Sequence, residues 1–144
     1  MRPQAAGSRK VEGARSDMIA SVGRSRLEVL APGVPAPAIL QAAAGFGAQH
    51  QFVQFASPPN VVDLAKRRSL VNGTPRIVVS AWDLPQGAHV RVEAWIDAGG
   101  ITGDINVDPR AIYGALPRRK FWKVVVELLL ALGVSGAADQ FHHL

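Results

Sequence analysis

The chain has 144 residues, no cysteine and a formal net charge of +5. The lack of cysteine excludes disulfides, thiolate nucleophiles, iron–sulfur clusters and zinc sites built on thiolates. A chain of this length fits one domain, which buries roughly 68–70% of the surface that its unfolded form exposes and can therefore fold without covalent staples. The first thirty residues contain no apolar run of signal-peptide length, so we expect a cytoplasmic protein.

The positive charge is concentrated at the N-terminus. Residues 1–26 carry six cations and two carboxylates, whereas residues 27–144 have a net charge of only +1. Residues 1–23 are basic and lack apolar periodicity, which predicts a disordered arm, either without a role or serving an interaction. Residues 24–144 are predicted to form a single α+β domain. Because that domain is nearly neutral, nucleic acid is not an expected partner.

The first half of the domain predicts short elements separated by Pro and Gly. Residues 26–30 alternate weakly, as in a strand that ends at a turn over 31–33. Residues 37–46 carry a helical apolar stripe, and Gly45 and Gly47 are expected to end that helix. Residues 51–56 alternate as a strand.

Residues 61–70 fit two structures. Asn60 could cap a helix there, but the same residues also alternate as a strand. We favour the strand because Asn72-Gly73 is a strong hairpin signal directly before the next strand.

A hairpin over residues 76–82 and 89–97 has the clearest pattern, since both runs are rich in β-branched and aromatic residues. A type I turn followed by a bulge at Gly87 is predicted. This register places Asp83 opposite His89 and Trp82 in the core, with Trp95 on the other face.

Further elements follow towards the C-terminus. Residues 101–107 alternate as one more strand, and Asp108 is expected to cap a short helix. A longer helix over residues 118–132 is predicted to start after Pro117 and to stop at Gly133. Its apolar run is too short to span a bilayer, which needs about 20 residues.

These elements predict an α+β fold with an antiparallel β-meander of four to six strands, an N-terminal helix and a longer apolar C-terminal helix packed on one face. The layout resembles that of helix-grip domains, which close a curved sheet over a C-terminal helix and hold apolar ligands between them. A plain two-layer sheet with helices on one face fits the same pattern.

A metal site is not expected. Asp104, Asn106 and Asp108 match the start of a calcium loop, but Pro109 replaces the required glycine and Ala115 the bidentate glutamate. The four histidines lack the spacing of a helical zinc site, and sequence motifs for nucleotide binding or hydrolysis are absent. We therefore predict no cofactor.

Two groups of side chains are candidate sites. Asp83, His89 and Glu93 form a polar cluster on the hairpin that could serve a small enzyme, although solvated cross-strand pairs are the alternative. A basic helix start could bind an anion or an acidic surface, since cations there oppose the positive end of the helix dipole. Its members are Arg118, Arg119, Lys120 and Lys123, and a solvated, tolerated helix start is the alternative.

The function predicted first is that of a small soluble non-catalytic binding domain, for an apolar small ligand or a protein partner, because the sheet is well specified and catalytic motifs are absent. A small enzyme using the hairpin cluster is the second hypothesis. The third is a binder of anionic surfaces or nucleic acid through residues 118–123. A hollow core between the sheet and the C-terminal helix would favour the apolar ligand.

Overall fold

The computed structural model describes residues 23–66, 73–99, 103–110 and 115–143, with the backbone alone for 115–117. Most of the predicted N-terminal arm lies outside these ranges. In chain order the elements are β1 (Ser25–Pro32), α1 (Ala36–Gln49), β2 (Phe52–Phe55), β3 (Val61–Lys66), β4 (Thr74–Leu84), β5 (Gly87–Asp97), β6 (Asp104–Ile105), α2 (Ala115–Ala131), a 3-10 helix (Ser135–Gln140) and β7 (His142–His143).

The strands form one antiparallel sheet in the order β2-β3-β4-β5-β1-β7, and β6 also pairs with β5. Strands β2 to β5 form the predicted meander. β1 pairs with β5 rather than with β2, so the connection through α1 crosses the whole sheet and leaves β2 at an edge. The predicted α+β fold with an antiparallel sheet is confirmed.

One face of the sheet carries a single apolar core that includes side chains of both helices. Full burial of an aliphatic side chain contributes about 1.5–3 kcal/mol, so this inner face is the main source of stability. The hairpin and α2 both contribute side chains with no exposed surface to this core: Ile77, Val79, Val90, Val92, Val125, Leu128 and Leu129.

The register of the β4–β5 hairpin differs from the prediction. Trp82 lies opposite His89, and Leu84 lies opposite Gly87, so the loop is only Pro85-Gln86. The predicted bulge is wrong because Gly87 is a paired strand residue that also lies opposite Pro32 of β1. Its φ is +149°, and a Cβ there would lie 2.2 Å from the Ala31 carbonyl oxygen. A glycine is required by this close approach.

The shift of one residue reverses the faces of β4, because side chains alternate along a strand. Ile77, Val79 and Ala81 lie in the core, whereas Trp82 is 36% exposed on the outer face. The inner face of β5, from Ala88 to Ile96, is as predicted.

The observed ends of the two α-helices agree only in part with those predicted from the sequence. α1 does not end at Gly45 or Gly47 but continues to Gln49. Gly47 is buried, and a Cβ there would lie 2.7 Å from the Leu64 side chain, so this glycine allows the helix to approach β3 closely. α2 ends as predicted, at Gly133, whose φ is +78°. The Gly133 N–H donates to the Leu130 carbonyl, and the Val134 N–H donates to the Leu129 carbonyl. These two hydrogen bonds form a Schellman motif.

The remaining predictions concern short segments. Residues 61–66 are a strand, as favoured, and 67–72 lie outside the described residues. The predicted strand 101–107 is described from residue 103 onwards; there Asp104 and Ile105 pair with β5, and residues 106–108 leave the sheet as buried chain. The short helix expected after Asp108 falls mainly on residues 111–114, which lie outside the described residues. α2 begins at Ala115, before the predicted start.

Candidate functional site

The predicted hairpin cluster of Asp83, His89 and Glu93 is not assembled. In the observed register Asp83 lies opposite Ala88, so its expected pairing with His89 is wrong. The Asp83 carboxylate, on β4, instead accepts a hydrogen bond from the Ala36 backbone N–H at 2.7 Å. This N–H lies in the first turn of α1, where it has no partner within the helix. This residue therefore has a structural role.

The outer face of the sheet is covered by ion pairs between neighbouring strands. His89 and Glu93 each have a partner on β1: the His89 imidazole lies 2.8 Å from a Glu28 oxygen, and Arg26 donates to Glu93 at 2.8 Å. The hydrogen bond with His89 holds the pKa of Glu28 below its usual range. Arg76 of β4 donates to Asp63 of β3 at 2.8 Å. These side chains pair with one another, as expected for cross-strand pairs.

Trp95 lies within this outer face but is almost fully buried, with 3% of its surface exposed. The guanidinium carbon of Arg24 lies 3.8 Å from the centre of its ring, and that of Arg76 lies 5.4 Å from it. Arg24 also donates to Asp104 at 2.7 Å. Two arginines thus cover the indole with their planar heads.

The predicted basic helix start divides into two groups. Arg119, Lys120 and Lys123 are exposed, whereas Arg118 is only 1% exposed. Burial lowers the pKa of Arg118, and the charge of Asp108 acts in the opposite direction. Arg118 therefore has an environment different from that of the three exposed cations.

A buried polar cluster at the junction of β1, β7 and residues 106–108 was not predicted from the sequence. The Ser25 hydroxyl accepts the Val107 backbone N–H at 2.9 Å and lies 2.6 Å from Nδ1 of His143. The Ser25 hydroxyl has one hydrogen and two acceptor lone pairs, so the tautomer of His143 decides which of the two groups donates in their contact. Burial lowers the pKa of His143, and the negative charge of Asp108 opposes that effect. A neutral imidazole fits this arrangement.

Asp108 completes the cluster. Its Oδ1 accepts the backbone N–H and Nε of Arg110 at 2.9 and 3.0 Å, and its Oδ2 accepts Nη2 at 3.1 Å. Burial raises the pKa of Asp108, but the hydrogen bonds from the side chain and backbone of Arg110 outweigh it, so the pKa lies below its usual value of 3.8. The carboxylate is thus a charged, occupied acceptor.

The three residues of the calcium-loop pattern each interact with a different group. Asp104 pairs with Arg24, Asp108 pairs with Arg110, and Asn106 accepts the Asp108 backbone N–H at 3.1 Å. Across residues 23–66, 73–99, 103–110 and 115–143, no three His, Asp or Glu side chains are grouped to hold a metal ion.

Sequence patterns contained little that could have identified the buried cluster. Ser25 shares the inward face of β1 with Leu27, and a polar residue at such a position is a weak signal for a buried hydrogen bond. The pairing of β7 with β1 places His143 opposite Ser25. The two residues are 118 positions apart in the chain.

An open groove of about 610 Å³ lies between α1 and the end of the edge strand β2, with the loop after β2 and the start of β3. We refer to it as the α1–β2 groove. Its apolar lining residues are Pro37, Leu40, Ala44, Phe55, Ala56, Pro58, Pro59, Val61 and Val62, and the polar ones are Gln41, Gln54 and Ser57.

The loop that forms one wall of the α1–β2 groove is held by hydrogen bonds. Ser57 donates its hydroxyl to the Val61 carbonyl at 2.7 Å, and Val61 donates its N–H to the Pro58 carbonyl at 3.1 Å. The Asn60 carbonyl accepts the Ala81 N–H at 3.1 Å, which ties the loop to β4. The groove is therefore formed before any ligand arrives.

In the part of the chain that the structure describes, neither helix is long and apolar enough to cross a membrane. Comparison with known protein families, with curated proteins and with solved structures finds no match to this chain.

Proposed function

We propose that this chain is a non-catalytic binding domain whose ligand is an extended segment of a protein partner, held in the α1–β2 groove. The observation that carries this proposal is the position of the groove, which joins a helix wall to the edge strand of an antiparallel sheet. Peptides bind such sites by adding a strand to the sheet, since the edge offers unpaired backbone groups and the helix offers apolar contacts.

The edge strand itself supports strand addition. β2 pairs with β3 along one side, and no strand of the described residues pairs with its other side. Its sequence, Phe52-Val53-Gln54-Phe55, contains neither a charge nor a proline. Proteins commonly protect an exposed edge with charged residues or proline. An edge strand without them favours pairing with another chain.

The wall contributed by α1 supports an apolar side-chain contact. Leu40 and Ala44 lie one turn apart on the helix and line the groove with partly exposed surface. Pro58 and Pro59 face them across the opening and are exposed. An extended peptide places alternate side chains on one side, where these surfaces can receive them.

The filled inner core favours a protein partner over an enclosed apolar small ligand. The core side chains of the hairpin and α2 named above have no exposed surface, whereas the α1–β2 groove is open to solvent. Sites that enclose a drug-sized ligand bury most of its surface in a cavity of about 300–1,000 Å³. The polar pairs of the outer face engage one another, which favours binding over catalysis.

The test is a selection of peptides from a random display library against the full chain, followed by affinity measurements on the selected peptides. We expect peptides with alternating apolar residues. Ala44→Arg should weaken their binding about tenfold or more, because the new side chain occupies the groove and buries charge. Leu130→Asp is the matched control: Leu130 is 68% exposed on α2 and should not affect affinity.

Hydrogen exchange provides the second measurement. Bound peptide should slow exchange at those β2 amides that do not donate to β3, because strand addition pairs them. The proposal is wrong if no selected peptide binds, if Ala44→Arg leaves the affinity unchanged, or if Leu130→Asp weakens binding equally.

A further inference from the structure

Arg118 carries a buried charge. It is 1% exposed, and among the described residues none accepts a hydrogen bond from its Nε, Nη1 or Nη2. An arginine does not escape this situation by losing its proton, because the guanidinium remains charged in proteins. A buried charge of this kind is strongly unfavourable unless an opposite charge and hydrogen-bond acceptors reach it.

The described residues offer this charge little compensation. Asp108 is the carboxylate whose charge acts on Arg118, but both of its oxygens are engaged by Arg110 at 3.0 and 3.1 Å. The internal segments outside the described residues, 67–72, 100–102 and 111–114, contain no aspartate or glutamate. The other carboxylates with described ion pairs belong to partners elsewhere: Glu28, Asp63, Glu93, Asp104 and Glu127.

We propose that Arg118 anchors a binding site for a small oxyanion, the carboxylate or phosphate group of a ligand. The planar guanidinium presents several N–H donors in a fixed geometry that matches two oxygens of either group. This site is separate from the α1–β2 groove, because it involves α2 and the cluster of β1 and β7.

The neighbouring cluster lies beside the same helix. The ring centre of His143 is 5.7 Å from that of Trp122, which follows Arg118 by one turn of α2. Nε2 of His143 takes no part in the contact with Ser25, and in the tautomer that carries hydrogen there it can donate to an anion. The exposed Arg119 and Lys120 add a positive field on the same helix, which attracts anions without binding them in the site.

The proposal is tested by thermal unfolding of the full chain in phosphate, acetate or chloride at equal ionic strength. About 10 mM phosphate or acetate should raise the Tm of the wild type by about 4 °C relative to chloride, and the response should saturate. The larger of the two responses identifies the group that the site prefers. Arg118→Met should abolish the difference and, in chloride, should be no less stable than wild type, because it removes an unpaired buried charge.

The double variant Arg119→Gln, Lys120→Gln is the matched control, since it removes two cations from the exposed side of the same helix. It should keep the saturable response. The Nε–Hε signal of Arg118 in a nitrogen–proton correlation spectrum gives a readout on the wild type itself, and it should shift with phosphate or acetate until it saturates. That measurement remains decisive if Arg118→Met does not fold.

Three results would overturn the proposal. The first is an equal effect of all three anions on every variant, which is general salting. The second is loss of the response in the double variant with Arg118 intact. The third is an Arg118 signal that neither oxyanion moves.

Discussion

The two tryptophans of the hairpin show how burial depends on neighbours rather than on residue type. Both lie on the outer face of the sheet. Trp95, in β5, is 3% exposed beneath Arg24 and Arg76, whereas Trp82, near the end of β4, is 36% exposed. The long arginine side chains remove apolar ring surface from water while their charged heads stay near acceptors.

Truncation of the tryptophans should therefore have unequal effects. Trp95→Ala is expected to lower the free energy of unfolding by about 3 kcal/mol, because it opens a cavity and frees two arginines. Trp82→Ala should cost about 1 kcal/mol or less, as is usual for partly exposed side chains. Denaturant unfolding of both variants measures the difference. Equal costs, or a larger cost for Trp82, would contradict the observed register.

His143 predicts a specific dependence of stability on pH. Its pKa in the folded state lies below the ordinary value of about 6.5, mainly because of burial beside Trp122 and Phe141. A group with a depressed folded-state pKa stabilises the fold fully above its unfolded pKa, and that stability is lost as the pH falls towards the folded pKa. The Tm should thus be flat above pH about 7 and should decline as the pH falls below about 6.5.

Substitution separates this effect from the titration of other groups. His143→Gln should flatten the decline between pH about 6.5 and 5, whereas His142→Gln, at an exposed neighbouring position, should leave it in place. The pKa values of Glu28 and Asp108 lie below 4.5 and 3.8, so their contribution is lost only in more acidic solution. An unchanged decline in His143→Gln would show that another group is responsible.

At the scale of elements, the glycines show where backbone spacing controls the sheet. Gly87 joins three strands, since it lies opposite Leu84 and Pro32 in the central part of the sheet. Gly45 lies within α1, on its exposed side, and a Cβ there would meet nothing within 4 Å. The two positions provide a matched pair for testing the effect of one methyl group.

Gly87→Ala should destabilise the protein by more than about 1 kcal/mol, because its φ is unfavourable for alanine and the Cβ would collide with the Ala31 carbonyl. Gly45→Ala should instead stabilise it by about 0.5–1 kcal/mol, since alanine loses less conformational entropy in a helix. Denaturant midpoints give both values. A tolerated Gly87→Ala would mean that β1 lies farther from the hairpin.

At the scale of the whole molecule, the sheet separates two environments. Its inner face forms the single core with α1 and α2, and its outer face is a set of ion pairs and arginine–aromatic contacts. Exposed ion pairs contribute little to stability, so the core carries most of it. Both proposed sites lie where these layers end, at the edge strand β2 and at the start of α2.

The N-terminal arm should not contribute to the stability of this domain. Residues 1–17 are polar and basic and have no apolar face to bury. A chain that starts at Met18 keeps Arg24, whose guanidinium binds Asp104 and covers Trp95. Its Tm should equal that of the full chain in a thermal scan, and a drop of several degrees would show that the arm packs against the domain.

The sequence by itself determined the local features of this protein, because those depend on neighbouring residues. Alternation identified the hairpin strands and the inner face of β5, and Gly133 identified the end of α2. Only the tertiary structure decided the register of β4, since the approach of β1 to Gly87 selects a two-residue loop. The same holds for the candidate sites. The burial of Arg118, the contact of Ser25 with His143 and the α1–β2 groove arise between segments that are distant in the chain, and local periodicity contains no information about such contacts.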